Sequence, residues 1–85
     1  MTFGAIRSYV LGHLDPFFQA AGINPDTVED DFDLLSSGVI DSMEFLNLVT
    51  EIEQWLDQEI DFEEMDAEEL TKLGAFCRFV DSQVA

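Results

Sequence analysis

Basic residues are nearly missing from this 85-residue chain: three Lys and Arg stand against nineteen Asp and Glu, for a formal charge of −16. Such a surface repels phosphate polymers at long range, so nucleic acid is excluded as an expected partner, and an anionic membrane is disfavoured likewise. A partner with a basic docking patch is instead steered in fast, with strong salt dependence. Charge of one sign also repels itself, so marginal stability at low salt is expected. Cysteine is limited to Cys77 and histidine to His13. One thiol excludes an intramolecular disulfide and a cysteine-based metal site, and one imidazole builds no metal cluster. No apolar run approaches a membrane span, and residues 1–10 lack the basic and uninterrupted apolar segments of a signal peptide. A soluble cytoplasmic protein is the expectation.

Strand-like alternation, internal repeats and low-complexity tracts are absent too. Against these gaps stand a hydrophobic content of 47% and eight Phe, enough for one modest core in a single domain over residues 1–85. Phe3, Ile6, Val10 and Leu14 recur at helical spacing from a Thr2 cap, and Pro16 is expected to kink or end that helix. Phe17 and Phe18 continue as a further turn, and Gly22 closes the region. A long connection, 23–37, carries anchors Val28, Phe32, Leu34 and Leu35 and an acidic string, Glu29 to Asp31, read as a solvated face. The central helix runs from Ser42 to about Asp57. At roughly 100° per residue, Phe45, Leu48, Val49, Ile52 and Leu56 share one side. Met43, Asn47, Thr50 and Gln54 fall opposite, with Leu46 and Trp55 on the borders. A short acidic turn over 62–69 and a last helix from near Thr71, striped by Leu73, Phe76, Cys77 and Val80, complete the pattern. The fold class is all-α: a four-helix bundle of three longer helices and one short one, with a long first loop.

Two chemistries are set aside on residue grounds. A serine hydrolase needs a base and an elbow of the Gly-x-Ser-x-Gly kind, and only His13 is on offer. Asp57, Glu59, Asp61 and Glu68 imitate the spacing of a calcium loop. Phe62 stands where its sharp turn needs glycine, and specific calcium binding is not expected.

What remains is Gly38-Val39-Ile40-Asp41-Ser42-Met43-Glu44. Asp41 is a good N-cap and Glu44 stands at capping-box spacing, which makes Ser42 the first helical residue. A hydroxyl there, beside free backbone N–H groups and the positive end of the dipole, suits a phosphate. Together with Asp33-Leu34-Leu35-Ser36-Ser37 before it and Phe45-Leu46 after it, this stretch resembles the attachment region of acyl and peptidyl carrier proteins. The resemblance covers about the whole chain in helix pattern, loop lengths and charge. It implies a 4′-phosphopantetheine arm from coenzyme A on Ser42, with Asp41 read by the phosphopantetheinyl transferase. Met43 is then the apolar residue partners grip, and Glu44, Asn47, Thr50 and Gln54 the recognition face. It further implies a non-catalytic monomer that holds acyl or aminoacyl groups as thioesters for an activating ligase and for acyltransferases or synthases. Such domains serve lipid or fatty acid, cell-envelope and secondary-metabolite routes. The neutral face is similar to stand-alone carriers of the D-alanyl type more than to fatty-acid carriers. A groove of Phe45, Val49, Ile60, Phe62 and Met65 is a candidate shelter for an acyl chain. The alternative is an acidic helical adaptor that binds a basic partner with no prosthetic group.

Overall fold

The first helix follows from one stripe: Ile6, Val10, Leu14 and Phe18, each four residues from the last, are fully buried. In the computed structural model, which describes residues 2–62 and 65–84, helix α1 spans Phe3–Ala21. Thr2 caps it by accepting the Ala5 N–H at 3.2 Å. Of the two expected effects of Pro16, to kink or to end the helix, the ending does not occur: Pro16 lies inside a helix that continues through Phe17 and Phe18 to Ala21. An interior proline costs about 3 kcal/mol. Leu14 and Phe18 flank it on the buried stripe and contribute roughly 1.5–3 kcal/mol each, so burial outweighs the lost hydrogen bond. Gly22, at φ 73°, then closes the helix, with its own N–H on the Gln19 carbonyl and the Ile23 N–H on that of Phe18.

The connection after α1 holds one 3₁₀ turn, Pro25–Thr27, capped by the Asn24 side chain. Val28 and Leu34 are buried and Phe32 and Leu35 half-buried, so the expected anchors do hold this segment down. Backbone bonds hold it as well. The Leu34 N–H donates to the Thr71 carbonyl, the Leu73 N–H to that of Phe32 and the Gly74 N–H to that of Asp30, at 2.8–2.9 Å. Asp33 and Lys72 form an isolated antiparallel bridge, and no strand occurs among the described residues. The acidic string is only partly a solvated face. Asp30 is paired to Arg7 at 3.0 Å and to Arg78 at 3.8 Å, and Arg7 also donates to the Val28 carbonyl at 2.7 Å. Lys72 sits 3.4 Å from Glu69, so each of the three basic residues has an acidic neighbour.

Helix α2 covers Ser42–Leu56, α3 is the single turn Ala67–Leu70, and α4 covers Leu73–Gln83. Phe45, Leu48 and Ile52 are buried, as are Leu73, Phe76, Cys77 and Val80. Val49 and Leu56, placed in the core by periodicity, are half-buried at its edge. α4 starts two residues later than Thr71 because Thr71 caps α3 and its carbonyl is taken by the loop. Residues 63 and 64 of the expected turn over 62–69 lie outside the described residues. α1 packs on α4 and on α2.

Candidate functional site

The start of α2 is positioned by the loop before it. Asp33 folds that loop onto itself: Oδ1 accepts the Leu35 and Ser36 N–H groups at 3.0 and 2.9 Å, and Oδ2 accepts the Thr71 hydroxyl at 3.0 Å. The Ser36 amide holds the Asp33 carboxyl below its ordinary 3.8, assisted by Thr71 and Leu35 and opposed by partial burial. A turn closes at Gly38, whose φ of 80° suits a residue without Cβ, with its N–H on the Leu35 carbonyl at 3.0 Å. Val39 and Ile40 then plug into the core.

Asp41 arrives in extended backbone (φ −97°, ψ −179°) and caps α2, with Oδ1 2.9 Å from the Glu44 N–H. Ser42 is therefore the first residue of a fifteen-residue helix, and its side chain is exposed. The hydroxyl stands where the macrodipole favours an anion, while the Asp41 and Glu44 carboxylates oppose one. An exposed hydroxyl on a fixed backbone fits a covalently attached phosphodiester: it needs no cavity, only access.

Of the other site residues, Met43 is 65% exposed, and Asn47, Thr50 and Gln54 are exposed along the same helix. Leu46, assigned to a border by periodicity, is 61% exposed and joins Met43 in one apolar patch. Its place three residues from Met43, next to Asn47, was the signal for it. Glu44 departs from this group: it is half-buried and faces a hollow shared with Phe17 of α1. Trp55 is not a bare border residue, since its ring stacks on Tyr9 at 4.0 Å and 4°.

Aromatic rings pack along the groove expected beside α2. Phe62 stacks on Phe76 at 5.5 Å and 2°, Phe45 meets Phe76 edge-on at 5.4 Å, and Phe79 lies 5.5 Å from Phe62. Cys77 is buried in α4, and burial pushes its thiol up to about 12, with Arg7 opposing. Among the described residues, no cluster of three or more His, Cys, Asp or Glu could hold a metal ion, and no helix is long and apolar enough to cross a membrane.

Searches of curated proteins and of solved structures found no match. The family model described as the phosphopantetheine attachment site matches residues 19–80, which include the whole loop, α2 and α3. That family is the site of covalent 4′-phosphopantetheine attachment. The match spans most of the chain, and the chain belongs to that family as a phosphopantetheine-carrying carrier protein.

Proposed function

We propose that Ser42 is the attachment point and that the whole chain is one carrier domain presenting acyl or aminoacyl groups to partner enzymes. One observation carries this reading: Ser42 is exposed at the capped start of a long helix, on a loop fixed from both sides. Its Oγ attacks the pantetheine-side phosphorus of coenzyme A's pyrophosphate while a transferase takes the serine proton. The phosphodiester forms as the P–O bond to adenosine 3′,5′-bisphosphate breaks and that group leaves. The arm supplies a thiol that holds the cargo as a thioester. The chain's own part is to tether, orient and be recognised, and tethering raises the concentration of cargo at a partner's active site. Asp41 fixes the serine by capping, and its carboxylate is available to the transferase.

Recognition belongs to the outward side of α2. Met43 and Leu46 offer an apolar grip, and Asn47, Thr50 and Gln54 add neutral polar contacts. Neutrality there favours an adenylating ligase as the loading enzyme, in the manner of stand-alone carriers. The aromatic filling beside α2 favours a cargo presented outward over a long chain sheltered in the core. Intact mass after incubation with coenzyme A and an active phosphopantetheinyl transferase tests the assignment. The expected result is a gain of one phosphopantetheine, absent in Ser42→Ala. No gain with any active transferase, or a gain retained in Ser42→Ala, refutes it.

A further inference from the structure

A hollow of about 470 Å³ opens beside the start of α2, between Phe17 of α1, Leu35, Val39 and Ile40 of the loop, and Asp41 and Glu44. Its inner wall is apolar: Val39 and Ile40 are 7% and 5% exposed, and Phe17 and Leu35 are half-buried. Two carboxylates stand at its rim. One is engaged through Oδ1 with the Glu44 N–H, and the other belongs to the half-buried Glu44 side chain. We propose that this hollow is the resting site for the pantoyl segment of the arm, the part nearest the phosphodiester. The proposal rests on Ser42 being the attachment point.

Three observations support this occupant. The hollow is contiguous with the attachment point, since Asp41 precedes Ser42 and Glu44 follows it by two residues. A group leaving Ser42 therefore begins one residue from the rim, and its tether holds it near the hollow at high effective concentration, so weak contacts suffice. The chemistry also matches from wall to rim. A pantoyl unit carries a carbon with two methyl groups, then a hydroxyl and an amide N–H. The methyls suit an apolar wall and the two donors suit carboxylate acceptors. Finally, the other side of α2 is occupied by the mutually packed Phe45, Phe62, Phe76 and Phe79 rings, whereas this side presents a hollow on a wall braced by Asp33. Neither Met43 nor Leu46 lines the hollow, so an arm at rest here leaves those two apolar side chains clear for a partner.

Isotope-filtered NMR of the full chain, labelled with ¹³C and ¹⁵N and carrying an unlabelled arm, tests the proposal. Expected are nuclear Overhauser contacts from the two pantoyl methyls to the Leu35, Val39 and Ile40 methyls and the Phe17 ring. Shift changes between the arm-free and arm-bearing forms should fall on the same groups. Leu35→Asn, at a half-buried position, should weaken the contacts while circular dichroism shows the helices retained. Contacts to Phe45, Phe62 or Met65 instead overturn the proposal, as do shift changes confined to residues 41–43. Those outcomes, seen on protein whose arm is lost in Ser42→Ala, overturn the resting site alone. A chain that accepts no arm, or accepts one in Ser42→Ala, overturns the attachment assignment as well.

Discussion

Replacing Gly74 by alanine should destabilise the fold, although helix propensity argues for the opposite sign. Gly74 is the second residue of α4, and its N–H donates to the Asp30 carbonyl at 2.8 Å. An added Cβ would overlap Asp30 Cβ and lie 2.8 Å from its Cγ and 3.0 Å from its carbonyl oxygen. Backbone is in the way, so the loop must move. Overpacking of this kind costs roughly 1–3 kcal/mol, and weakening the hydrogen bond adds about 1. Alanine returns at most about 1 kcal/mol through propensity. The net is a loss of about 1–3 kcal/mol, at about 4–8 °C in melting temperature for each kcal/mol in a chain this size. Gly12, inside α1 and exposed, is the control: an added Cβ meets nothing within 4 Å. Gly12→Ala should therefore raise stability by roughly 0.5–1 kcal/mol. Thermal melts followed by circular dichroism at constant salt read both. If Gly74→Ala melts at or above the wild type, the close approach of loop to α4 is not what holds the loop.

Asp33→Asn should destabilise at neutral pH. Because folding lowers the Asp33 pKa, its contribution is present above 3.8 and fades as pH falls through the folded value. The gap between variant and wild type in urea titrations should therefore close in acid, and a gap that widens there would refute the account. Asp57 ends α2 at φ 53° with a carboxylate near the negative end of the dipole, so Asp57→Gly should stabilise by about 1 kcal/mol in the same titration. Cys77 should resist iodoacetamide at pH 8 until denaturant is added, and rapid native labelling would contradict its burial. Met43→Asp should leave stability within about 0.5 kcal/mol but slow arm transfer onto the chain, which timed intact-mass measurements would show.

Local chemistry made much of this architecture readable beforehand. The Asp41–Glu44 spacing located the start of α2, and the bond from the Glu44 N–H to Asp41 is that same feature in three dimensions. Gly22 and the stripes of α2 and α4 were legible for similar reasons, since caps and periodicity act within one turn. Whether Pro16 would end α1 was not legible, because its penalty is local while the burial of Leu14 and Phe18 that offsets it is tertiary. Asp30 misled for a similar reason: nothing within four residues announces Arg7 or Gly74. The exposed face was readable except for Leu46, which sits where a small rotation decides between border and patch. Glu44 was grouped with the recognition face through the family resemblance; the structure half-buries it beside a hollow that Phe17 also lines, a placement set by the packing of α1 that the sequence around Ser42 does not announce.

The clasp between 30–34 and 71–74 also sets an order of assembly. The caps that start α1 and α2 are made by neighbours three residues away and can form as soon as those residues are synthesised, on a microsecond scale. The ramp leading to Ser42 cannot, because its amides and carbonyls wait for partners some forty residues downstream. Closing so long a segment is the slow, entropy-limited part of folding in a protein otherwise rich in local contacts. A ribosome-bound chain that ends before Thr71 has a helix bearing the serine but no fixed platform beneath it. Transfer enzymes that read the platform as well as the serine would thus discriminate finished chains from unfinished ones, with no separate checkpoint.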